Sequence, residues 1–224
     1  LKINYMISKK KNYISKKLTM KKIVFITLVF SNLIFTQNTD FEGFMNFSYI
    51  NNLGKIYLEV NNLDKEFLYI NSLSRGIGNN DLGLDRGQLG STRIVFFTKR
   101  GNKILMVQPN TRYVSNSENN LENKAVEEAF ARSVLFSFEI IEEKNNNYII
   151  DLTPLIMNDA HGVAQRLKYS NSGNYSLNKS MSAIELDRTK AFPKNIEFDV
   201  ILTFTGNPMG NLVRSVTPTP SNIT

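Results

Sequence analysis

The chain has 224 residues, 42% apolar and 11% aromatic, which is enough for a core of ordinary size and excludes a disordered tail. Its formal charge of +7 is confined to the start: Lys2, Lys9, Lys10, Lys11, Lys16, Lys17, Lys21 and Lys22 precede residue 37 and no Asp or Glu does, leaving 19 basic against 20 acidic residues in the rest. A nearly neutral body without a basic stripe excludes a nucleic-acid partner. Zero cysteines exclude a disulfide framework, a thiolate metal site and an acylated-thiol anchor.

From Met20, "MKKIVFITLVFSNLIFTQ" places two lysines before an apolar run from Ile23 to Phe35, with the small Thr36 at its exit. That order is the n-region, h-region and cleavage site of an export signal over residues 20–36. The run is shorter than the ~20 residues of a spanning helix, so contact with a membrane is expected only through this signal. The expected destination is the periplasm, the cell surface or the exterior. Residues 1–19 read as an over-extended gene start, because Met20 alone opens a compact signal.

Beyond Phe41 the pattern is mostly strand-like. "GFMNFSYI" and "KIYLEV" flank "NNLG", a hairpin with Gly54 free to take positive φ, and "EFLYINSL" follows as a third strand. "STRIVFFTK" and "KILMVQP" form a second hairpin around "RGN". Over about 121–136 the spacing of Val126, Ala129, Phe130, Ser133 and Val134 predicts an amphipathic helix packed on the sheet, capped by Asn119 or Asn120, with Glu128 one turn before Arg132. "FEIIEEK" and "NYIIDL" resume the strands around "NNN", and "SAIELD" and the long "NIEFDVILTF" complete them. The expected class is α+β, with an antiparallel, hairpin-rich sheet and one main helix.

The glycine-rich "RGIGNNDLGLDRGQLG", residues 75–90, fits no phosphate loop: Asp81 stands where a third glycine is needed, and no GK[ST] follows. It also lacks the calcium-loop pattern, having Thr92 where a closing Glu is required. It reads instead as a specified structural or interaction loop. Leu82, Leu84 and Leu89 are expected to dock on the core, Asp81 and Asp85 to accept backbone bonds, and Arg86 to pair with one of them.

"MNDAHGVAQRL" holds the sole histidine, His161, two residues after Asp159. Asp159 is expected to cap the short helix that follows, leaving His161 as a hydrogen-bonded packing residue in its first turn. An alternative catalytic reading joins His161, Asp159 and a serine. No GxSxG elbow supports it: "NSGNYS" and "GSTR" lack the spacing.

"GIGNNDLGLDRGQLG", "AVEEAFARSVLFSFEI", "DAHGVAQRL", "RTKAFPKN", "LTFTG" and "VRSVTPTP" occur in order across most of the chain from Phe41. Together they resemble the domain of unknown function that precedes the catalytic domain in large, secreted bacterial zinc-dependent metalloproteases. The resemblance implies an HExxH domain further along the parent polypeptide, with zinc there and no cofactor in this chain. That downstream catalytic domain is the implied partner. Residues 37–217 are then one β-rich domain, and 218–224, within "TPTPSNIT", start a linker or truncated continuation. HExxH needs two histidines one helical turn apart, and one histidine cannot supply them.

The leading expectation is a non-catalytic module serving folding, domain contact or substrate positioning. The second is a stand-alone surface module that binds glycans or peptides through Tyr49, Tyr57, Tyr69 and Tyr113. The third is a small hydrolase using His161. Export is predicted to cleave after Thr36 and leave Gln37 at the new N-terminus. N-terminal sequencing of secreted material checks this, and an intact leader in the membrane fraction would mean an anchor.

Overall fold

The structure, a computed structural model, describes residues 38–224. The expected export signal over 20–36 and the segment before it lie outside the described residues. The main sheet has eight antiparallel strands in the order β1-β2-β3-β8-β7-β6-β5-β4. They are β1 (Thr39–Phe41), β2 (Phe47–Ile50), β3 (Lys55–Val60), β4 (Phe67–Ser72), β5 (Leu89–Arg100), β6 (Lys103–Gln108), β7 (Ser133–Lys144) and β8 (Asn147–Asp151). Two hairpin meanders are therefore joined along one seam, β3 against β8. Gly54 and Gly101 take φ of 62° and 60° in their turns, and Asn145 and Asn146 turn β7 into β8 at φ of 52° and 62°.

The sheet is curled. Asn61–Glu66 carries the chain from the third sheet position to the eighth, roughly 24 Å in a flat sheet, which six residues would cover only fully stretched. Instead Leu63 packs on the core, and Asp64 donates its N–H to the Phe97 carbonyl of β5 at 2.7 Å. Alternation sends Ile56, Leu58 and Val60 of β3, Val95 and Phe97 of β5, Ile104 and Met106 of β6, and Tyr148 and Ile150 of β8 to the concave side, where all are buried.

A second sheet orders β13 (Asn222–Ile223), β12 (Val200–Pro208) and β9 (Gly173–Ile184). With α3 (Val163–Tyr169) and the glycine-rich loop it encloses a smaller core of Leu82, Leu84, Val163, Leu167, Tyr175, Phe204, Val213 and Ile223. Residues 218–224, expected to begin a linker, are anchored on this core through Ile223. Ile223 is buried opposite Phe204, and the Tyr175 hydroxyl donates to the Pro220 carbonyl at 2.6 Å. The "RTKAFPKN" block forms a separate hairpin, β10 (Lys190–Phe192) and β11 (Asn195–Glu197). It lays Ala191 and Ile196 on the larger core, and its Phe192 carbonyl accepts the Phe44 N–H.

The class is α+β and β-rich, as the alternation implies. The main helix is shorter than expected. The helix α1 (Asn120–Ala129), capped by the Asn119 side chain, stops before Phe130, and Ser133 and Val134 already lie in β7. Leu135, Phe136, Phe138 and Ile140 find partners on the larger core as a strand paired with β6, and that tertiary gain outweighs the helical periodicity. No α1 residue is buried, so the helix does not dock an apolar face. Glu128 pairs with Lys124 and Arg132 with Glu127. The short α2 (Thr153–Ile156) follows β8. Among the described residues no helix is long and apolar enough to cross a membrane.

At Gly206 of β12 the neighbouring β9 leaves no room for a side chain: a Cβ there would collide with the Asn174 carbonyl and lie 2.8 Å from the Tyr175 Cα. Gly206→Ala should destabilise the fold by ~1–3 kcal/mol through this backbone clash. Urea unfolding checks it, with a substitution at Ser91, exposed on β5, as the neutral comparison.

Candidate functional site

The loop over 75–90 is built from backbone bonds and glycines. Ile77 donates to Leu84 O at 3.1 Å, a short 3₁₀ turn spans Asn80–Leu82, and Asn79 caps it by accepting the Asp81 N–H. A Cβ at Gly76 would lie 2.7 Å from Arg86 N, so the two arms of the loop cross in near contact. Leu82 and Leu84 are buried in the smaller core, whereas Leu89, expected beside them, is 66% exposed. Asp81, Asp85 and Arg86 are exposed and show no side-chain hydrogen bond or ion pair among the described residues. The expected pairing of Arg86 with an aspartate is therefore corrected: main-chain bonds and buried leucines specify the loop, Arg75 pairs with Glu185, and Asp81, Asp85 and Arg86 are left to solvent.

Asp159 and His161 are brought near each other but serve different partners. Asp159 Oδ1 accepts from Val163 N at 2.8 Å and Oδ2 from Ala164 N at 2.9 Å, so its carboxylate is spent on the start of α3. The His161 ring is held from two sides. Its Nδ1 lies 3.2 Å from Asn71 Nδ2 on β4, and its Nε2 lies 3.4 Å from Gln88 Oε1 at the end of the loop. Asn71 Oδ1 is buried without a partner among the described residues. The Asn71 amide lies so close to Gly90 that any side chain there would collide with it. Burial lowers the His161 pKa from 6.5, Asp159 pulls it back up, and Arg166 lowers it again. No serine hydroxyl bonds the ring among the described residues, so the Ser/His/Asp arrangement is not assembled.

Tyr49 and Tyr69 pack against the larger core and Tyr57 is half-buried, leaving Tyr113 as the exposed ring of the four. Tyr113 stacks on Phe130, centroids 4.1 Å apart, and carries the Arg112 guanidinium at 5.6 Å. Its ring is thus engaged within the excursion between β6 and β7.

A different surface stands out, and the sequence reading did not single it out. β4 is an edge strand, and its outward residues Leu68 and Ile70 are 60% and 43% exposed. Across the register Ile94 faces Leu68 and Leu89 faces Ser72, exposed by 41% and 66%. Val134 of β7, paired with Val107, is exposed by 57% on a neighbouring part of the sheet. No charged side chain interrupts the outward positions Leu68, Ile70 and Ser72 of this edge. The signal was present in "EFLYINSL" and "STRIVFFTK", where apolar residues fill both phases of the alternation.

The model of the family described as a domain of unknown function, DUF5117, matches residues 87–223. The chain belongs to this family. The match takes in Gln88, Asp159, His161 and the whole second sheet, and begins just after the 3₁₀ turn of the glycine-rich loop. No curated protein and no solved structure matches the chain.

Asp159→Ala should cost ~1 kcal/mol, the value of a helix cap. Asp85→Ala, at an exposed position, should stay within about 0.5 kcal/mol of the parent. Denaturant midpoints of the two variants check the contrast.

Proposed function

We propose that this chain is a non-catalytic module of an exported zinc-dependent metalloprotease, and that it docks on the neighbouring catalytic domain of the same polypeptide. The observation that carries the reading is the uncharged aliphatic face of Leu68, Ile70, Leu89 and Ile94 on an open sheet edge. Monomeric proteins rarely leave such a face to water, and an unprotected edge strand invites pairing with another chain. The resemblance of the motif blocks to the domain preceding metalloprotease catalytic domains is what favours this partner. Contacts between domains of one chain commonly cover such surfaces.

The donor inventory supports assigning the zinc to that partner. Zinc requires three or four converging His, Cys or carboxylate ligands. Here the one histidine has both ring nitrogens engaged by amides, and there is no cysteine. Among the described residues no three His, Cys, Asp or Glu side chains converge as a metal would need.

The test is to read the gene beyond Thr224 for an HExxH domain, produce that domain, and measure its association with this chain. The parent chain should bind it, hold no stoichiometric zinc and cleave no peptide. Leu68→Glu combined with Ile94→Glu, both outward, should weaken binding by more than about tenfold without unfolding the module. No association of the parent chain, or one equivalent of zinc with cleavage abolished by His161→Ala, overturns the reading.

A further inference from the structure

With the Asn71 and Gln88 amides oriented as in the structure, the two contacts of His161 select one protonation state. Asn71 Nδ2 has only hydrogens to offer, so the ring Nδ1 at 3.2 Å must carry a lone pair. The proton of the neutral ring then sits on Nε2, where Gln88 Oε1 accepts it at 3.4 Å. These partners come from separate parts of the fold: Asn71 from β4, Gln88 from the end of the glycine-rich loop, and His161 from the turn before α3. The ring thereby cross-links three segments.

A second proton would break this arrangement. Nδ1–H would face the Asn71 NH₂ group, donor against donor. Rotating the Asn71 amide would present Oδ1 to the ring, but it would send Nδ2 into the buried position that Oδ1 holds without a partner among the described residues. The charged groups facing the ring act in opposite directions: Asp159 favours the cation, Arg166 opposes it less strongly, and burial is the largest effect. Asp159 has its two oxygens on Val163 and Ala164 N–H groups, and Arg166 of α3, whose Nη2 reaches the Gly83 carbonyl, repels a cation. β4 and the loop contribute only the neutral Asn71 and Gln88.

We propose that His161 is a proton-sensitive latch: the neutral ring ties the turn before α3 to β4 and to the end of the glycine-rich loop, and protonation releases that turn. Burial of the ring works in the same direction, lowering its pKa from 6.5. The released form therefore takes the proton first. Stabilisation by the latch is complete above about 6.5 and declines as the pH falls below it.

His161 is the only imidazole in the chain, so ring ¹⁵N resonances of the full-length protein report on it alone. The expected result is an Nε2–H tautomer at high pH and a midpoint below 6.5. Amide protection at residues 160–162 and 88–90, corrected for intrinsic exchange, should fall through that same midpoint. Asn71→Asp would supply an acceptor to Nδ1–H and should raise the midpoint by roughly one to three units. An Nδ1–H tautomer, a midpoint at or above 6.5, or protection that is flat through the titration overturns the proposal. The parent protein decides these three outcomes even if Asn71→Asp fails to fold.

Discussion

The fold depends on the pairing of β3 with β8, two strands separated by about ninety residues of chain. Each meander can form its own local hairpins, but neither has a complete core until this seam closes. Its contacts are unusually varied. Lys55 Nζ meets Asp151 Oδ2 at 2.7 Å, Ile56 N donates to Thr153 Oγ1, and Leu152 N donates to the Ile56 carbonyl. Burial raises the Asp151 pKa, but bonds from Lys55 and from the Thr153 hydroxyl and N–H outweigh it, so the carboxyl sits below its usual range. Ile56, Leu58 and Ile150 beside these bonds are sealed from solvent, so the polar contacts fix the register of a joint that the apolar side chains stabilise.

Closing the seam also creates the surface on which the functional proposal rests. Once β3 and β8 are joined, the short link to β4 forces the sheet to curl, and β4 ends as an edge. Its inward residues Phe67 and Tyr69 complete the core, and its outward Leu68 and Ile70 have no layer above them among the described residues. α1, the longest helix among the described residues, has no buried residue.

Much of the architecture was legible because its cause is local. Alternation in "KIYLEV" and "NYIIDL", and the turns at Gly54, Gly101 and Asn145, specify hairpins with little tertiary help. The failures were non-local. The segment "SVLFSF" satisfies helical and strand periods together, and only the availability of β6 as a partner decides for β7. "NIEFDVILTF" reads as one strand, yet it breaks at Asp199, whose carboxylate meets Arg188 Nε at 2.8 Å and whose N–H reaches the buried Thr189 hydroxyl. The tail after Thr217 looks like a linker until Tyr175 and Phe204, far away in sequence, provide its seat. The role of Asp159 was legible because a cap lies within a few residues of its helix. The hold of Asn71 on His161 was not, since ninety positions separate them.

The histidine lies where the two cores meet through one strand. β4 gives Phe67 and Tyr69 to the larger core, and two residues further on, at Asn71, it grips the segment that leads into α3 and the smaller core. The glycine-rich loop that departs from the end of β4 places Leu82 and Leu84 in that smaller core and then returns Gln88 to the other side of the same ring. A contact at this point links the order of the loop to the order of α3, and both to the edge strand that carries the exposed aliphatic face. Weakening it need not unfold either core, because Asp159 still holds the first turn of α3 and the backbone bonds between Leu73 and the 87–88 segment still close the base of the loop. What it changes is the coupling between them, at the margin of the surface through which the module is proposed to meet its catalytic neighbour.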